Sequence, residues 1–439
     1  MSETYDNDRK HVFHSWSVQT KLNPLVVTHG QGVYFWTEDG RKFLDLASQL
    51  VNANIGHQHP KVVKAIQEQA AKMTFVAPGI ASEPRSKLAH LLSEVCPPKI
   101  NRFFFTNGGA DANENAVKIA RSYTGKFKVL ARYRSYHGAT YGAISLTGDP
   151  RRPPVEPGIP GVVRFPDFYP YHDGRDPEDA LYADQLLAAT EEIIQMENPD
   201  TVAAMIVEPV IGSNGILIPS KRYFQGLRAL CDKYKILLIA DEVMSGFGRT
   251  GRWFAVNHFE VEPDLLCMAK GINSGYVPLG AVGISDAIAK FLEDKMLYAG
   301  LTYSGHPLAC AAAVATIEAY RDEKIIENAA ARGETLKAVL ADLKAKHPSV
   351  GDVRNIGLFG GIELVKNRRT REGLVAWNST GPMNAAVQKC FLENGAYVYT
   401  RWNYIFVVPP LIITDAQLAD AAVILDKALS VADTFVEGE

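Results

Sequence analysis

Residues 236–242 read ILLIADE and residues 264–270 read DLLCMAK. Each is a short apolar run that ends on charged side chains, which is typical of a strand buried on both faces of a parallel sheet. Three further runs have a similar apolar character: KVLAR at 128–132, AAMIVEP at 203–209 and GAVGIS at 280–285. Helical patterns lie between the runs, as at 113–123 and 179–196. This alternation predicts a large, doubly wound α/β domain with a mainly parallel sheet.

The rest of the chain surrounds that domain. Residues 32–46 (GVYFWTEDGRKFLDL) predict two short strands joined at Asp39-Gly40, a hairpin signal. Residues 151–174 are rich in Pro, Gly and aromatic residues and predict a long surface loop. After a charged helical stretch through Lys346, a smaller α/β unit runs to the end of the chain. We therefore expect an N-terminal segment, a large domain and a small C-terminal domain at residues 1–60, 61–325 and 326–439.

Composition narrows the class of partner. The 439 residues are 47% hydrophobic and 22% charged, as in an ordinary globular protein. A net charge of −3 provides no field that would attract nucleic acid or an anionic membrane, so we expect small molecules or copies of the chain as partners. The N-terminus lacks an apolar signal core, and no apolar run reaches the roughly 18 residues of a membrane helix, which predicts a cytoplasmic protein. The five cysteines include no CxxC pair, so reduced thiols are expected rather than disulfides or a zinc site.

Two short motifs suggest sites that their context does not support. Residues 246–251 (GFGRTG) match the dinucleotide pattern GxGxxG, but the residues that follow lack the helical pattern that would present backbone N–H groups to a pyrophosphate. His57 and His59 are two residues apart without a carboxylate or a third ligand beside them. We interpret both motifs as loops, and we expect no metal.

A glycine-rich loop could bind a phosphate group. Residues 106–115 (TNGGADANEN) lie between the strand-like residues 102–105 and a helix that continues through residues 115–121. Free backbone N–H groups and the helix dipole at such a junction favour an anion. A glycine turn before a helix is, however, more often only a turn.

Three side chains carry further chemistry. Asp241 ends an apolar strand, where open α/β sheets place ligands, and is either a helix N-cap or a ligand group. Lys270 ends the next apolar strand, where desolvation could make it an amine nucleophile, although such lysines more often lie at the surface. Tyr136, in SYHG at 135–138, could stack on a planar ring or pack in the core. Pyridoxal 5′-phosphate (PLP) requires all four features together: a phosphate site, an amine for its aldehyde, an acid for its ring nitrogen and a stacking partner.

These features occur in the order of a known family. The chain resembles the class III (omega) aminotransferases, PLP-dependent enzymes of fold type I, over nearly its whole length. The resemblance is carried by NGGADANENAVKIAR, YRSYHGAT, IVEPVIGSNG, LLIADEVMSGFGRTG, MAKGINSGYVPLGAV and GLTYSGHPLACAAA. It implies transfer of an amino group from an amine donor to a keto acid acceptor.

The resemblance assigns the catalytic roles. Lys270 is similar to the lysine that bonds to the PLP aldehyde and moves the substrate proton. Asp241 would keep the pyridine nitrogen protonated through a charge-assisted hydrogen bond. Glu208 would lie just outside and orient polar neighbours.

It also assigns the cofactor's surroundings. Tyr136 and Val243 would cover the two faces of the ring, and the backbone N–H groups of Gly109 and Ala110 would hold the phosphate. Position 110 departs from the family, which usually has a serine there. Thr302 would reach the phosphate of a neighbouring subunit, which implies at least a C2 homodimer, with a tetramer as a further assembly.

Substrate choice depends on the ends of the chain. Arg401 lies eight residues before Pro409, and the resemblance implies that it binds the acceptor's carboxylate, with a surface arginine as the alternative. Trp16 would form part of the substrate pocket. This arrangement is most similar to the taurine:pyruvate aminotransferase branch. We expect an omega-amine:pyruvate transaminase that takes taurine, beta-alanine or an aryl or alkyl amine. The alternative is an aminomutase of the glutamate-1-semialdehyde type.

Overall fold

The structure is a computed structural model that describes residues 2–436. Its strands are β1 (Val27–Gln31), β2 (Tyr34–Thr37), β3 (Lys42–Asp45), β4 (Ile100–Thr106), β5 (Lys128–Arg132), β6 (Val162–Phe165), β7 (Val202–Val207), β8 (Leu237–Asp241), β9 (Leu265–Met268), β10 (Gly280–Ser285), β11 (Val350–Ile356), β12 (Phe359–Asn367), β13 (Glu372–Gly373), β14 (Ala396–Tyr397), β15 (Tyr399–Arg401) and β16 (Tyr404–Val407). Its α-helices are α1 (Glu3–His11), α2 (Ser48–Val51), α3 (Pro60–Lys72), α4 (Glu83–Val95), α5 (Gly109–Thr124), α6 (Tyr141–Leu146), α7 (Pro170–Asp173), α8 (Ala180–Met196), α9 (Lys221–Tyr234), α10 (Val256–Phe259), α11 (Asp286–Leu292), α12 (Pro307–Asp322), α13 (Ile325–Lys346), α14 (Pro382–Glu393) and α15 (Asp415–Asp433). Short 3-10 helices lie at Gln19–Lys21, Pro153–Val155, Pro199–Thr201 and Lys270–Ile272.

The central sheet has seven strands in the order β4-β10-β9-β8-β7-β5-β6. Strands β9, β8, β7, β5 and β6 pair in parallel, while β10 runs antiparallel to both of its neighbours. Helices cover both faces, so adjacent residues of one strand enter different cores: Leu238 packs on one side of the sheet and Ile239 on the other. Two-sided burial explains the unbroken apolar runs. The predicted α/β fold with a mainly parallel sheet is confirmed.

Part of the predicted surface loop is wrong. Within residues 151–174, β6 pairs with β5 at the edge of the central sheet, and α7 follows it. Phe165 and Phe168 are fully buried. The prolines and glycines around this segment obscured a short run, VVRF, whose three apolar residues and length suit an edge strand.

Two smaller sheets stand beside the central one. The predicted hairpin around Asp39-Gly40 is present, because β2 and β3 pair antiparallel. Strand β14 from the C-terminal part of the chain joins them, in parallel with β3. The other sheet has the order β11-β12-β16-β15. The division of the chain at residues 60 and 325 stays a prediction.

The GFGRTG loop has a structural explanation. Arg249 is fully buried, and its Nη1 donates to the carbonyl oxygens of Leu358 and Pro409. Its Nη2 donates to Ser48 Oγ and Asn54 Oδ1. The loop therefore connects the N-terminal and C-terminal parts of the chain.

The remaining motifs are also accounted for. The Nε2 of His57 lies 2.9 Å from Asp45 Oδ2, and that of His59 lies 3.0 Å from Glu323 Oε1. In the part of the chain that the structure describes, no cluster of side chains could hold a metal ion and no helix has the length and apolarity to span a bilayer. All five cysteines are free thiols.

Candidate active site

A cavity of about 650 Å³ opens where parallel strands end. Residues at or just beyond the carboxyl ends of β4, β5, β7, β8 and β9 line it, as expected for ligand sites in open α/β sheets. The cavity brings together eight of the predicted site residues: Trp16, Gly109, Ala110, Tyr136, Glu208, Asp241, Val243 and Lys270. Thr302 and Arg401 do not line it.

Lys270 enters the cavity just beyond β9. Its backbone φ of 42° lies in the left-handed region, which is uncommon for a residue with a side chain. Burial lowers the pKa of the Lys270 amine to about 8, and the nearby carboxylates of Asp241 and Glu208 only partly oppose that shift. About a fifth of the amine is therefore neutral at pH 7.4, in the form that attacks an aldehyde.

Asp241 is the last residue of β8 and is almost fully buried. Its Oδ2 accepts a hydrogen bond from Asn113 Nδ2 at 2.7 Å, and the Nδ1 of His137 lies at the same distance. Its Oδ1 accepts from the backbone N of Val243 at 3.1 Å. These contacts fix the carboxylate's orientation, and the His137 ring acts as a donor through Nδ1 when it is the Nδ1–H tautomer.

The uncapped start of α5 forms another wall of the cavity. Gly108 occupies the N-cap position without a side-chain cap, and Gly109 and Ala110 line the cavity. A Cβ built on Gly109 would lie 2.8 Å from Val243 Cγ1, so only glycine allows the helix to begin this close to Val243. The free N–H groups of the first turn and the helix dipole favour an anion here.

Glu208 follows β7 and supports the opposite wall. Its Oε1 accepts from the backbone N of Tyr136 at 3.0 Å, and its Oε2 accepts from that of Gly212 at 2.8 Å. Burial raises the pKa of the Glu208 carboxyl. Glu208 thus fixes the backbone of Tyr136, whose ring packs edge-on against Trp16 with centroids 6.0 Å apart.

Two arginines stand on this side of the cavity. The guanidinium of Arg151 lies 3.5 Å from the centroid of the Tyr136 ring and lines the cavity. That of Arg401 lies outside, 4.0 Å from the Trp402 ring centroid. Both contact the buried carboxylate of Asp149.

Comparison with known proteins identifies the family. The sequence profile described as aminotransferase class-III matches residues 16–429. The chain belongs to the class-III aminotransferase family. It is 35% identical to the taurine–pyruvate aminotransferase of Bilophila wadsworthia, over 97% of this chain and 98% of that protein. It is 38% identical to the omega-aminotransferase of Caulobacter vibrioides, over 90% of each.

Solved structures of class-III aminotransferases share the whole fold. The taurine:2-oxoglutarate aminotransferase of Bifidobacterium kashiwanohense, in complex with PLP and glutamate, matches with a TM-score of 0.96 and 42% identity over 98% of both chains. An (S)-enantioselective omega-transaminase of Thermomicrobium roseum matches with a TM-score of 0.93 and 37% identity over 98% of both chains. The predicted aminotransferase activity and PLP cofactor are confirmed at the level of the family.

The cavity fits PLP on the chemistry of its own groups. It offers an uncapped helix start for a phosphate, an amine of lowered pKa for an aldehyde and a buried carboxylate for a ring nitrogen. The Oδ1 of Asn113 and the Nε2 of His137 are buried without a hydrogen-bond partner in the protein. Buried polar atoms without partners are rare, and these two flank Asp241.

Several residues of the site were not predicted from sequence. Asn113 lies in the glycine-rich loop at 106–115 and His137 in SYHG at 135–138, but neither was given a role. Their polar side chains within these motifs could have indicated that they contact the ligand. Arg151 begins the segment 151–174, where only a surface loop was expected, and Asp149 lies two residues before it, at a position that was given no role. Their position depends on long-range packing, so local pattern could not reveal it. Thr302 is exposed, away from the cavity lining. The roles predicted for the individual site residues stay predictions.

Proposed function

We propose that this aminotransferase moves the amino group of an omega-amine to the keto acid pyruvate, with taurine and beta-alanine as the first candidate donors and aryl or alkyl amines as further ones. The observation that carries the proposal is the Arg151 guanidinium, which lines the same cavity as Lys270. A guanidinium suits a sulfonate or a carboxylate. It would bind the acid group of such a donor while the amine faces Lys270.

The charges around Arg151 support an anionic ligand. Arg151 and Arg401 share the single carboxylate of Asp149, so this cluster carries one positive charge more than negative. A buried or half-buried excess charge is unfavourable unless a counter-charge arrives. The acid group of a donor or of a keto acid supplies that counter-charge.

The relatives support the same substrate class. Three of them are named for taurine–pyruvate, putrescine–pyruvate and omega-aminotransferase activities, and one structural neighbour for taurine:2-oxoglutarate aminotransfer. The aminomutase alternative is not favoured, because these relatives are all aminotransferases. Since the named acceptors differ, 2-oxoglutarate is the alternative to pyruvate that the experiment must include.

The chain's side chains have distinct proposed tasks. When bound, PLP takes up the amino group and delocalises the electrons left by the breaking carbon–hydrogen bond. Lys270 receives that proton at Nζ, because its lowered pKa keeps a fraction of the amine neutral near physiological pH. Asp241 holds a proton on the ring nitrogen, oriented by Asn113 and His137.

The cofactor-binding roles are also proposals. The N–H groups of Gly109 and Ala110 bind the phosphate, and Tyr136 and Val243 enclose the ring. With alanine rather than serine at position 110, this phosphate site depends more on backbone donors. Glu208 positions Tyr136 through the backbone hydrogen bond described above.

We further propose a homodimer in which Thr302 acts in the neighbouring subunit's site, with a tetramer as a further assembly. Exposed apolar side chains beside this residue support a second copy as the covering partner: Tyr303, which follows it in the chain, and Phe75, whose ring contacts that of Tyr303. Trp16 as a pocket wall and Arg401 as an acceptor contact are proposed on the same resemblance. The three-part division of the chain and a cytoplasmic location are proposed on sequence pattern and composition.

The test is a half-reaction without acceptor. The PLP-loaded protein is mixed separately with taurine, beta-alanine and 1-phenylethylamine, and the absorbance band of the bound cofactor is followed. We expect taurine or beta-alanine to bleach the band, and pyruvate to restore it with formation of alanine. Restoration by 2-oxoglutarate alone would contradict the acceptor assignment. A band that no donor bleaches would contradict the proposed substrate class.

A further inference from the structure

A strained turn at residues 47–51 forms part of the cavity wall. Three of its residues have positive backbone φ: 45° at Ser48, 58° at Gln49 and 59° at Val51. Such angles are uncommon for any residue except glycine, and for a β-branched residue such as valine they are a genuine outlier. The ψ of −94° at Gln49 lies outside the left-handed helical region as well. This turn therefore keeps its shape only because contacts from the surrounding structure enforce it.

The 47–51 turn contributes apolar surface to the site. Leu50 and Val51 line the same cavity as Lys270. The Val51 side chain is almost fully buried, whereas half of the Leu50 side chain is exposed. Because the backbone dihedral angles of a turn set the directions of its side chains, relaxation at Gln49 would move both apolar groups. The shape of this part of the cavity thus depends on whatever holds Gln49.

A buried carboxylate holds the turn from below. Asp45 is the last residue of β3 and is fully buried. Its Oδ1 accepts hydrogen bonds from the backbone N of Ala47 at 3.2 Å and from that of Gln49 at 3.1 Å. Its Oδ2 accepts from the backbone N of Gln49 at 3.0 Å and from the side-chain Nε2 of Gln49 at 2.9 Å. Both oxygens of one carboxylate therefore hold the residue of the turn whose dihedral angles are least favourable.

The histidine motif provides the support for this carboxylate. The Nε2 of His57 lies 2.9 Å from Asp45 Oδ2, and it donates a hydrogen bond there when the ring is the Nε2–H tautomer. The backbone N and carbonyl oxygen of His57 both pair with Gly32. Its ring packs edge-on against Phe35, with centroids 6.4 Å apart. His57 thus connects Asp45 to the N-terminal sheet and fixes the carboxylate on the side away from the turn.

We propose that Asp45 is a positioning residue that determines specificity, because it holds the 47–51 turn in its strained shape. The turn then presents Leu50 and Val51 as a preformed apolar wall. A preformed wall spares a ligand the cost of ordering these side chains on binding. Only a substrate bulky enough to reach the wall gains from it. The inference rests on the proposed function only in that substrates bind in this cavity.

The experiment compares two unreactive carboxylates, propionate and the bulkier 3-phenylpropionate, in calorimetric titrations of the PLP-loaded protein. Both are analogues of the keto acid acceptor of an aminotransferase, so the comparison does not depend on which amine is the donor. Asp45→Asn replaces one acceptor oxygen by an amide group that cannot accept from Gln49. We expect this variant to weaken 3-phenylpropionate binding about fivefold and propionate binding less than about twofold. Equal changes for the two ligands, or no change for either, would overturn the proposal.

Glycine at position 49 separates the release of the turn from general destabilisation. Glycine adopts positive φ without strain, so the turn no longer needs the carboxylate to keep its shape. In Asp45→Asn/Gln49→Gly, the Kd for 3-phenylpropionate should return to within about twofold of the wild-type value. A general loss of stability would not be repaired in this way, because glycine also increases the entropy of the unfolded chain. A double variant that binds as weakly as Asp45→Asn would count against the proposed role.

Asp433→Asn is the matched control. Asp433 Oδ1 accepts from the backbone N of Ser349 at 3.1 Å, and its Oδ2 lies 2.7 Å from His347 Nδ1. It therefore resembles Asp45 in its partners, but it does not line or adjoin the residues of the cavity. We expect the Kd of both carboxylates to stay unchanged. Selective weakening of 3-phenylpropionate by this control would mean that the effect does not come from the turn.

A pair of substitutions at Gln49 keeps the proposal testable if Asp45→Asn does not fold. Gln49→Ala and Gln49→Gly both remove the side-chain hydrogen bond to Asp45, but only alanine retains the backbone strain. We expect Gln49→Ala to weaken 3-phenylpropionate binding about three- to fivefold and Gln49→Gly less than about twofold. If the two variants bind this ligand equally, the strain has no part in shaping the wall and the proposal is wrong.

Discussion

Two walls of the cavity are built on different principles. The wall formed by Gly109, Glu208, Asp241 and Lys270, here the sheet wall, consists of residues at or just beyond strand ends. The group formed by Arg151, which lines the cavity, and by Asp149 and Arg401 behind it, here the arginine wall, lies in a loop and on strand β15 of a smaller sheet. Side chains of the sheet wall are positioned by the backbone of the fold, whereas those of the arginine wall are positioned by one another. The fold therefore fixes the catalytic residues. Substitutions in the arginine wall can change which substrate binds without changing the fold.

The largest effect is expected at Lys270 of the sheet wall. Lys270→Ala should lower kcat by about 10⁴-fold or more, because both the nucleophilic amine and the proton carrier are lost. The variant should still bind PLP, since the phosphate site and Asp241 remain. The measurement is turnover in a coupled alanine assay, with PLP retention checked by absorbance after gel filtration. Wild-type-like turnover would exclude the proposed role of Lys270.

A smaller but still large effect is expected at Asp241. Asp241→Asn keeps the side-chain volume but removes the charge, so kcat should fall about 10²–10³-fold while the Kd for PLP changes much less. Asp264→Asn is the matched control. Asp264 lies just before β9, at the opposite end of the same sheet, and pairs with Arg228. If both variants lose activity equally, the loss reflects the stability of the sheet rather than the site.

The sheet wall also has a pH signature. Below its pKa of about 8 the Lys270 amine is protonated and cannot attack an aldehyde, so the rate of PLP uptake by the apo-protein should rise with pH. Between pH 6 and pH 8 the neutral fraction grows about fiftyfold, and the rate should level off above pH 8. Stopped-flow absorbance measures it. A rate that keeps rising to pH 10 would mean an ordinary, solvated lysine.

The two walls differ in how far sequence reveals them. Asp241 and Lys270 could be predicted, because an apolar run ending in a charged residue indicates both the strand and the edge at which its side chain lies. Arg151 could not, because it lies in a Pro-rich segment whose path is set by β6 and by contacts distant in sequence, such as the one with Ser213. Arg401 was predicted from the resemblance, but its place outside the cavity follows from Trp402 and Asp149.

The same difference appears in the fold. Strands β5 and β10 match the predicted residues, since each run has clear boundaries. The antiparallel direction of β10 could not be predicted, because burial on both faces gives the same apolar pattern in either direction. The pairing of β14 with β3 joins residues about 350 positions apart, for which local sequence carries no signal.

The smallest effect, and the most selective, is expected in the arginine wall. Arg151→Ala should raise the KM for taurine or beta-alanine about 10- to 30-fold, since a charge-assisted contact to the acid group is lost. The KM for 1-phenylethylamine, which carries no acid, should change less than about threefold. Arg152→Ala is the matched control, because the neighbouring guanidinium pairs with Glu156 and does not line the cavity. If Arg151→Ala affects the acidic and apolar donors equally, Arg151 supports Tyr136 through ring stacking rather than recognising the acid, and the distinction between the two walls would fail.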